Sequence, residues 1–263
     1  YRPGSLLHRA YMSAEKLAAP LTDVFLFESA YIAGRFDHYV GAPNGARRIV
    51  ANGLGPAEFL PANPGENAAD LLYVGELRAA KGIDTLLEAI AVIGRARGAA
   101  PSAVLVGSGP DEALLIEHAK RLGVASRVAF PGPMPIRQAL ALGRIMVVPS
   151  RAESMPYVVL EGAAARVPMV ATDVGGIPEI YGPFRDRLGP ADDPQDLAAR
   201  IERALATPPE LRAAEAAALA DHVAANFSIE TMTNAVLGGY AEAIARRRAG
   251  TLRAPLGAVE THS

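Results

Sequence analysis

Two carboxylates, Glu153 and Glu161, lie eight residues apart in the stretch Ser150-Arg151-Ala152-Glu153-Ser154-Met155-Pro156-Tyr157-Val158-Val159-Leu160-Glu161. The preceding run, Arg144-Ile145-Met146-Val147-Val148-Pro149, is apolar, rich in β-branched residues and closed by proline, which predicts a buried strand emptying into a loop. Pro156 suits a first helical turn, where its missing N–H is no loss, and residues 157–166 continue as a helix. Glu153 is therefore expected in the loop at the strand's C-terminal end, and Glu161 on the helix that follows. In parallel α/β sheets ligands bind at that edge, beside helix N-termini whose free N–H groups and positive dipole end attract anions such as phosphate. Glu161 shares a helix face with Tyr157, Ala164 and Ala165, where an ionised carboxylate is costly without donors. The hydroxyls of a bound sugar would supply them; the alternative is a partly exposed helix glutamate.

Lys81 is the cation whose place suggests chemistry. It precedes Gly82 at a predicted helix start, where the dipole favours anions, so a lysine there is electrostatically unusual. It also follows the predicted strand 71–75, at the same edge of the sheet as Glu153.

The elements that must hold these groups follow from an alternation of short apolar strands with amphipathic helices, the signature of βαβ units and a parallel sheet. Strands are expected at 71–75, 103–107, 127–130, 145–148 and 169–172. Helices are expected at 82–97, from Asp111 onward, at 136–142 and at 156–166. Before them come a helix over 5–19, a strand at 23–29 ending in the cap residue Ser29, and a strand at 47–51. After them the alanine-rich segments 195–206, 208–226 and 229–248 read as helices, the last with Ser228 as its cap.

Composition narrows the chemistry further. Half of the 263 residues are apolar, enough for a sizeable core, and a net charge of −2 without a long basic run gives nucleic acid no purchase. The absence of cysteine excludes disulfides and thiolate chemistry and fits a reducing cytosol. No apolar run reaches the length of a membrane span. There is no Asp-x-Asp or His/Cys cluster, so no metal is expected, and the five histidines take no role. Arg246, Arg247 and Arg248, at a helix C-terminus, either oppose the helix dipole or touch anionic lipid or an acidic partner.

Glu153 and Glu161 resemble the E-x7-E signature of the retaining glycosyltransferases of family 4. Further segments are similar in the same order: Tyr73-Val74-Gly75-Glu76-Leu77-Arg78-Ala79-Ala80-Lys81-Gly82, Val106-Gly107-Ser108-Gly109-Pro110, Val128-Ala129-Phe130-Pro131-Gly132 and Ala171-Thr172-Asp173-Val174-Gly175-Gly176-Ile177-Pro178-Glu179. The resemblance implies an α/β fold with a Rossmann-like parallel sheet flanked by helices, the donor-binding half of a GT-B enzyme. On this reading residues 1–64 are the end of an acceptor domain and its linker, 65–227 the donor domain, 228–249 a helix crossing back and 250–263 a mobile tail. The chain begins at Tyr1 and reads as a piece of a longer protein.

The same resemblance implies the roles. The donor would be a nucleotide-diphosphate sugar of UDP or GDP type, used without metal or other cofactor, and the acceptor a glycan or lipid-linked hydroxyl. Lys81 would contact the diphosphate and Glu153 would sit by the donor sugar's anomeric centre. Glu161 would hold the ribose hydroxyls. Met155 and Tyr157 would offer main-chain amides, the Phe130 segment would lie near the base, and Gly107 and Gly109 would let the chain turn tightly. Position 76 departs from the commonest pattern, where an arginine partners the lysine; here it is Glu76, and Arg78 is the expected substitute, with Glu76 pairing either Arg78 or Lys81. The implied place of work is the cytoplasm, with peripheral contact at the inner face of the membrane left open. A nucleotide-sugar-binding module inactive by itself is the competing reading.

Overall fold

The computed structural model describes residues 5–249, so the expected tail lies outside the described residues. The chain divides into two compact units, residues 5–51 with 230–249, and residues 52–229. In the first unit α1 (Leu6–Ala18) is capped by the Ser5 hydroxyl, and β1 (Val24–Phe27) runs parallel to β2 (Ala46–Ile49). Between them stands α2 (Ala30–Tyr39), whose first turn is closed by the fully buried Ser29, accepting from Ile32 N at 3.1 Å. The last helix, α10 (Ile229–Arg248), is fastened to this unit by Arg48–Glu242 and Arg247–Asp23 pairs, each at 2.8 Å. Arg247 is thus spent on a carboxylate of its own unit.

The second unit is a five-stranded parallel sheet in the order β5-β4-β3-β6-β7, formed by Val128–Gly132, Ala103–Val106, Ala69–Val74, Gly143–Val148 and Met169–Ala171. All of β6 except Arg144 is buried, as a central parallel strand covered on both faces must be. Helix α3 (Ile83–Arg97) places Ile83, Leu86, Leu87, Ile90 and Ile93 in the core, each at most 1% exposed. Its spacing of apolar residues is what the sequence showed. Helices α4 (Glu112–Arg121), α5 (Ile136–Ala139) and α6 (Tyr157–Ala164) follow. After α7 (Ile177–Tyr181) come α8 (Pro194–Ala206) and α9 (Pro209–Asn226).

From β3 the chain builds outward through β4 to β5, then crosses to the other side of β3 to lay down β6 and β7. Connections leave β3 and β6 in opposite directions, and that reversal opens a crevice at their C-terminal ends. Residues 52–64 fold with this unit: Leu54 bridges to Ser228, and Ala62 N donates to Ala165 O at 2.9 Å. The units divide after residues 51 and 229, where motif order had placed divisions after 64 and 227.

Three local details differ from expectation. Helix α6 ends two residues early because Arg166 takes a left-handed backbone (φ 60°) ahead of Pro168. Helix α5 is shorter than expected, and α7 was not foreseen because five residues are too few to show a period.

Candidate active site

The loops that leave β3 and β6 meet over the crevice. After β3 a 3-10 turn, Ala79–Lys81, carries the lysine; after β6 the loop 149–156 carries Glu153. Lys81 Nζ donates to Glu153 Oε1 at 2.7 Å, and Ser150 Oγ donates to the same oxygen at 2.7 Å. The side chains are 18% and 8% exposed, so this is a largely desolvated ion pair. It leaves Oε2 of Glu153 without a hydrogen-bond partner among the described residues. The structure thus brings together the two residues that the sequence had separated by 72 positions.

Glu161 sits on α6, half-buried, and no hydrogen bond or ion pair satisfies its carboxylate among the described residues. Burial pushes its pKa up, and the neighbouring charge of Glu58 pushes it further. A carboxyl that holds its proton more readily folded than unfolded costs stability as pH rises through its unfolded and folded values. Glu161→Gln is therefore expected to raise the thermal midpoint of the ligand-free protein at pH 7, a gain that shrinks toward zero below about pH 4. Thermal unfolding across pH measures it, and an unchanged midpoint at pH 7 would contradict the strain.

The other expected residues fall around this centre. Met155 is buried, and its carbonyl accepts from Asn52 Nδ2 at 2.8 Å, tying the 52–55 segment to the loop. Tyr157, about half exposed, opens α6, which carries no side-chain cap: Val159 N and Leu160 N donate to Pro156 O, while the N–H groups of Tyr157 and Val158 have no hydrogen-bond partner among the described residues. Arg78 pairs with Glu76 at 3.0 Å, which decides between the two partners open to Glu76, and both side chains are half-exposed. Phe130 packs its ring against the core. Gly107 brings the β4 loop against the β3 loop: it has φ 143°, and a Cβ there would overlap the carbonyl oxygen of Gly75. Gly109 packs against Leu77 in the same way. Between these loops a cleft of about 280 Å3 is lined by Gly75, Glu76, Gly107, Ser108, Pro133 and Met134. Among the described residues no group of three or more His, Asp or Glu side chains is placed to hold a metal.

Sequence reasoning passed over several groups. Arg151 makes a bidentate pair with Asp84, Nη1 to Oδ1 and Nη2 to Oδ2, each at 2.8 Å. It also donates to Thr85 Oγ1 at 3.1 Å, to Ala79 O and, through Nε, to Asp192. The hydrogen bonds of Asp84 raise the Arg151 pKa. Burial alone would raise the pKa of Asp84, but the hydrogen bonds and charge of Arg151 outweigh it and hold the carboxyl below its ordinary value. Asp111 Oδ2 accepts from Ala79 N at 2.6 Å. The one signal for these was an acidic residue near the start of α3 and of α4, which equally well complements a helix dipole.

Residues 68–207, more than half of the chain, match the family model described as glycosyl transferases group 1. Over 247 residues the chain is 31% identical to a D-inositol 3-phosphate glycosyltransferase of Segniliparus rotundus, covering 86% of this chain and 53% of that protein. The chain thus spans about half the length of that relative. Among solved structures it is similar to a sucrose-phosphate synthase of Thermosynechococcus elongatus, with a TM-score of 0.75 and 25% identity over 96% of this chain and 65% of the other. It shares a fold with Anabaena HepE, solved in complex with UDP, at a TM-score of 0.75 and 20% identity over 90% of this chain and 70% of the other. With the switch-point crevice and the order of its motifs, these matches show that the chain belongs to the group 1 glycosyl transferases, and that its sheet is the Rossmann-like donor half of the GT-B fold.

Proposed function

We propose that the crevice binds a nucleoside-diphosphate sugar and transfers the sugar, with retention of anomeric configuration, to a hydroxyl of a glycan or lipid-linked acceptor. The observation that carries this reading is the Lys81–Glu153 pair at 2.7 Å over the β3/β6 switch point, next to an α6 whose first amides are uncapped. Lys81 and those amides neutralise the leaving diphosphate without a divalent ion. The free oxygen of Glu153 receives a hydroxyl of the donor sugar, and the unpaired Glu161 receives the ribose hydroxyls, which offset the cost of its burial. Arg78, released from Glu76, is within the same segment and adds a second cation to the diphosphate. Chemically, the bond from the anomeric carbon to the diphosphate oxygen breaks and the bond to the acceptor oxygen forms on the same face. The acceptor proton passes to the departing diphosphate. HepE, solved with UDP, supports a uridine diphosphate sugar as the first donor to try.

The test follows the anomeric proton of an α-configured UDP- or GDP-sugar by NMR in EDTA-treated buffer. The expected result is release of the nucleoside diphosphate with the α-anomer of the sugar appearing first. Appearance of the β-anomer first, or no release from either donor, contradicts the proposal.

A further inference from the structure

Arg151 spends its whole guanidinium on the scaffold of the site and none on the crevice. Its five N–H groups reach Asp192, Ala79 O, both oxygens of Asp84 and Thr85 Oγ1, and its main-chain N–H donates to Ala80 O at 2.9 Å. One side chain therefore grips four pieces of chain: its own loop, which carries Glu153 two residues on; the 3-10 turn that carries Lys81; the first turn of α3; and the segment before α8. Ala79, whose carbonyl Arg151 grips, is held at its main-chain N–H by Asp111. The turn's own 3-10 bonds, Lys81 N to Arg78 O at 2.9 Å and Gly82 N to Ala79 O at 3.1 Å, fix its shape, and Thr172 Oγ1 on Ser150 O at 2.7 Å steadies the opposite loop. Among the described residues, the hydrogen bonds that join the two loops are those of Arg151 and the Lys81–Glu153 pair itself. From them we infer that Arg151 is a positioning residue for the Lys81–Glu153 pair, acting through the lysine turn, an inference that rests on the proposed donor site. The planar fork is required. A lysine keeps the charge but cannot bridge both oxygens of Asp84 while holding Ala79 O and Asp192.

The experiment is a double-mutant cycle read by calorimetric titration with UDP and GDP. Arg151→Gln is expected to weaken nucleotide binding about ten-fold when Lys81 is present and less than about two-fold in a Lys81→Ala background. Arg151→Lys is expected to behave like Arg151→Gln. Equal losses in both backgrounds would show that Arg151 supports the fold without acting through Lys81, and would overturn the inference. Should Arg151→Gln fail to fold, Asp84→Asn removes the bidentate acceptor alone and is read in the same cycle. A readout that needs no nucleotide separates this inference from the proposed function: the rate at which an amine-reactive reagent labels Lys81, followed by mass spectrometry. Faster labelling of Lys81 alone in Arg151→Gln supports the positioning role even if neither nucleotide binds the parent protein. An unchanged rate overturns it.

Discussion

Lys81→Ala is expected to lower sugar transfer by about 10²- to 10³-fold, the loss typical when one fixed donor to a developing anion is removed. The lysine is paired with Glu153, and the crevice holds it already largely desolvated at 2.7 Å from the carboxylate. Its charge therefore needs no reorganisation when the diphosphate leaves. The loss should appear in the turnover number more than in the Michaelis constant, because the charge on the leaving group grows between ground and transition state. Lys81→Arg should recover little, since a guanidinium fork does not fit the single oxygen shared with Ser150. Steady-state kinetics with the donor found by NMR measures both, and a variant within about three-fold of the parent in turnover would remove Lys81 from the mechanism.

Gly175→Ala is the second large effect expected, through the main chain of Glu153 that it packs against. Gly175 has φ 59°, and a Cβ there would overlap the main-chain oxygen of Glu153. A left-handed backbone costs a non-glycine residue roughly 1–2 kcal/mol, and the overlap adds to it because the contacting atom is backbone and cannot swing aside. The 153–154 peptide must move, and Glu153 with it, so nucleotide-sugar turnover is expected to fall by about 10²-fold alongside a destabilisation above about 2 kcal/mol. Urea unfolding and kinetics on the same preparation test this together. Full activity with parental stability would mean that the loop does not need the glycine.

How much of this was legible beforehand depends on whether the signal was local. The strand-loop-helix around Glu153 and Glu161 could be read because its determinants are contiguous: an apolar run, a proline at the strand end, a proline at the helix start. The lysine turn could be read from a cation in a place that disfavours cations. Arg151 could not, because its partners Asp84 and Asp192 lie 67 and 41 residues away and meet it only when the β3 and β6 loops converge. Glu58 was hidden for the same reason: its segment looked like a linker, yet its charge acts on Glu161. Gly175 was visible as part of a Gly-Gly pair, but that its missing side chain makes room for the Glu153 carbonyl is a fact of tertiary contact. Periodicity found the long helices and missed α7, whose five residues rest on a Gly-Gly turn and Pro178.

The most direct test of the account is calorimetric titration of the protein with UDP and GDP in metal-free buffer, alongside Lys81→Ala and Glu161→Ala. The account predicts that one nucleotide binds the parent and that each substitution weakens it by about ten-fold or more, Lys81 through the diphosphate and Glu161 through the ribose. Binding that neither substitution changes would place the nucleotide elsewhere and contradict the central claim that the β3/β6 crevice is the donor site.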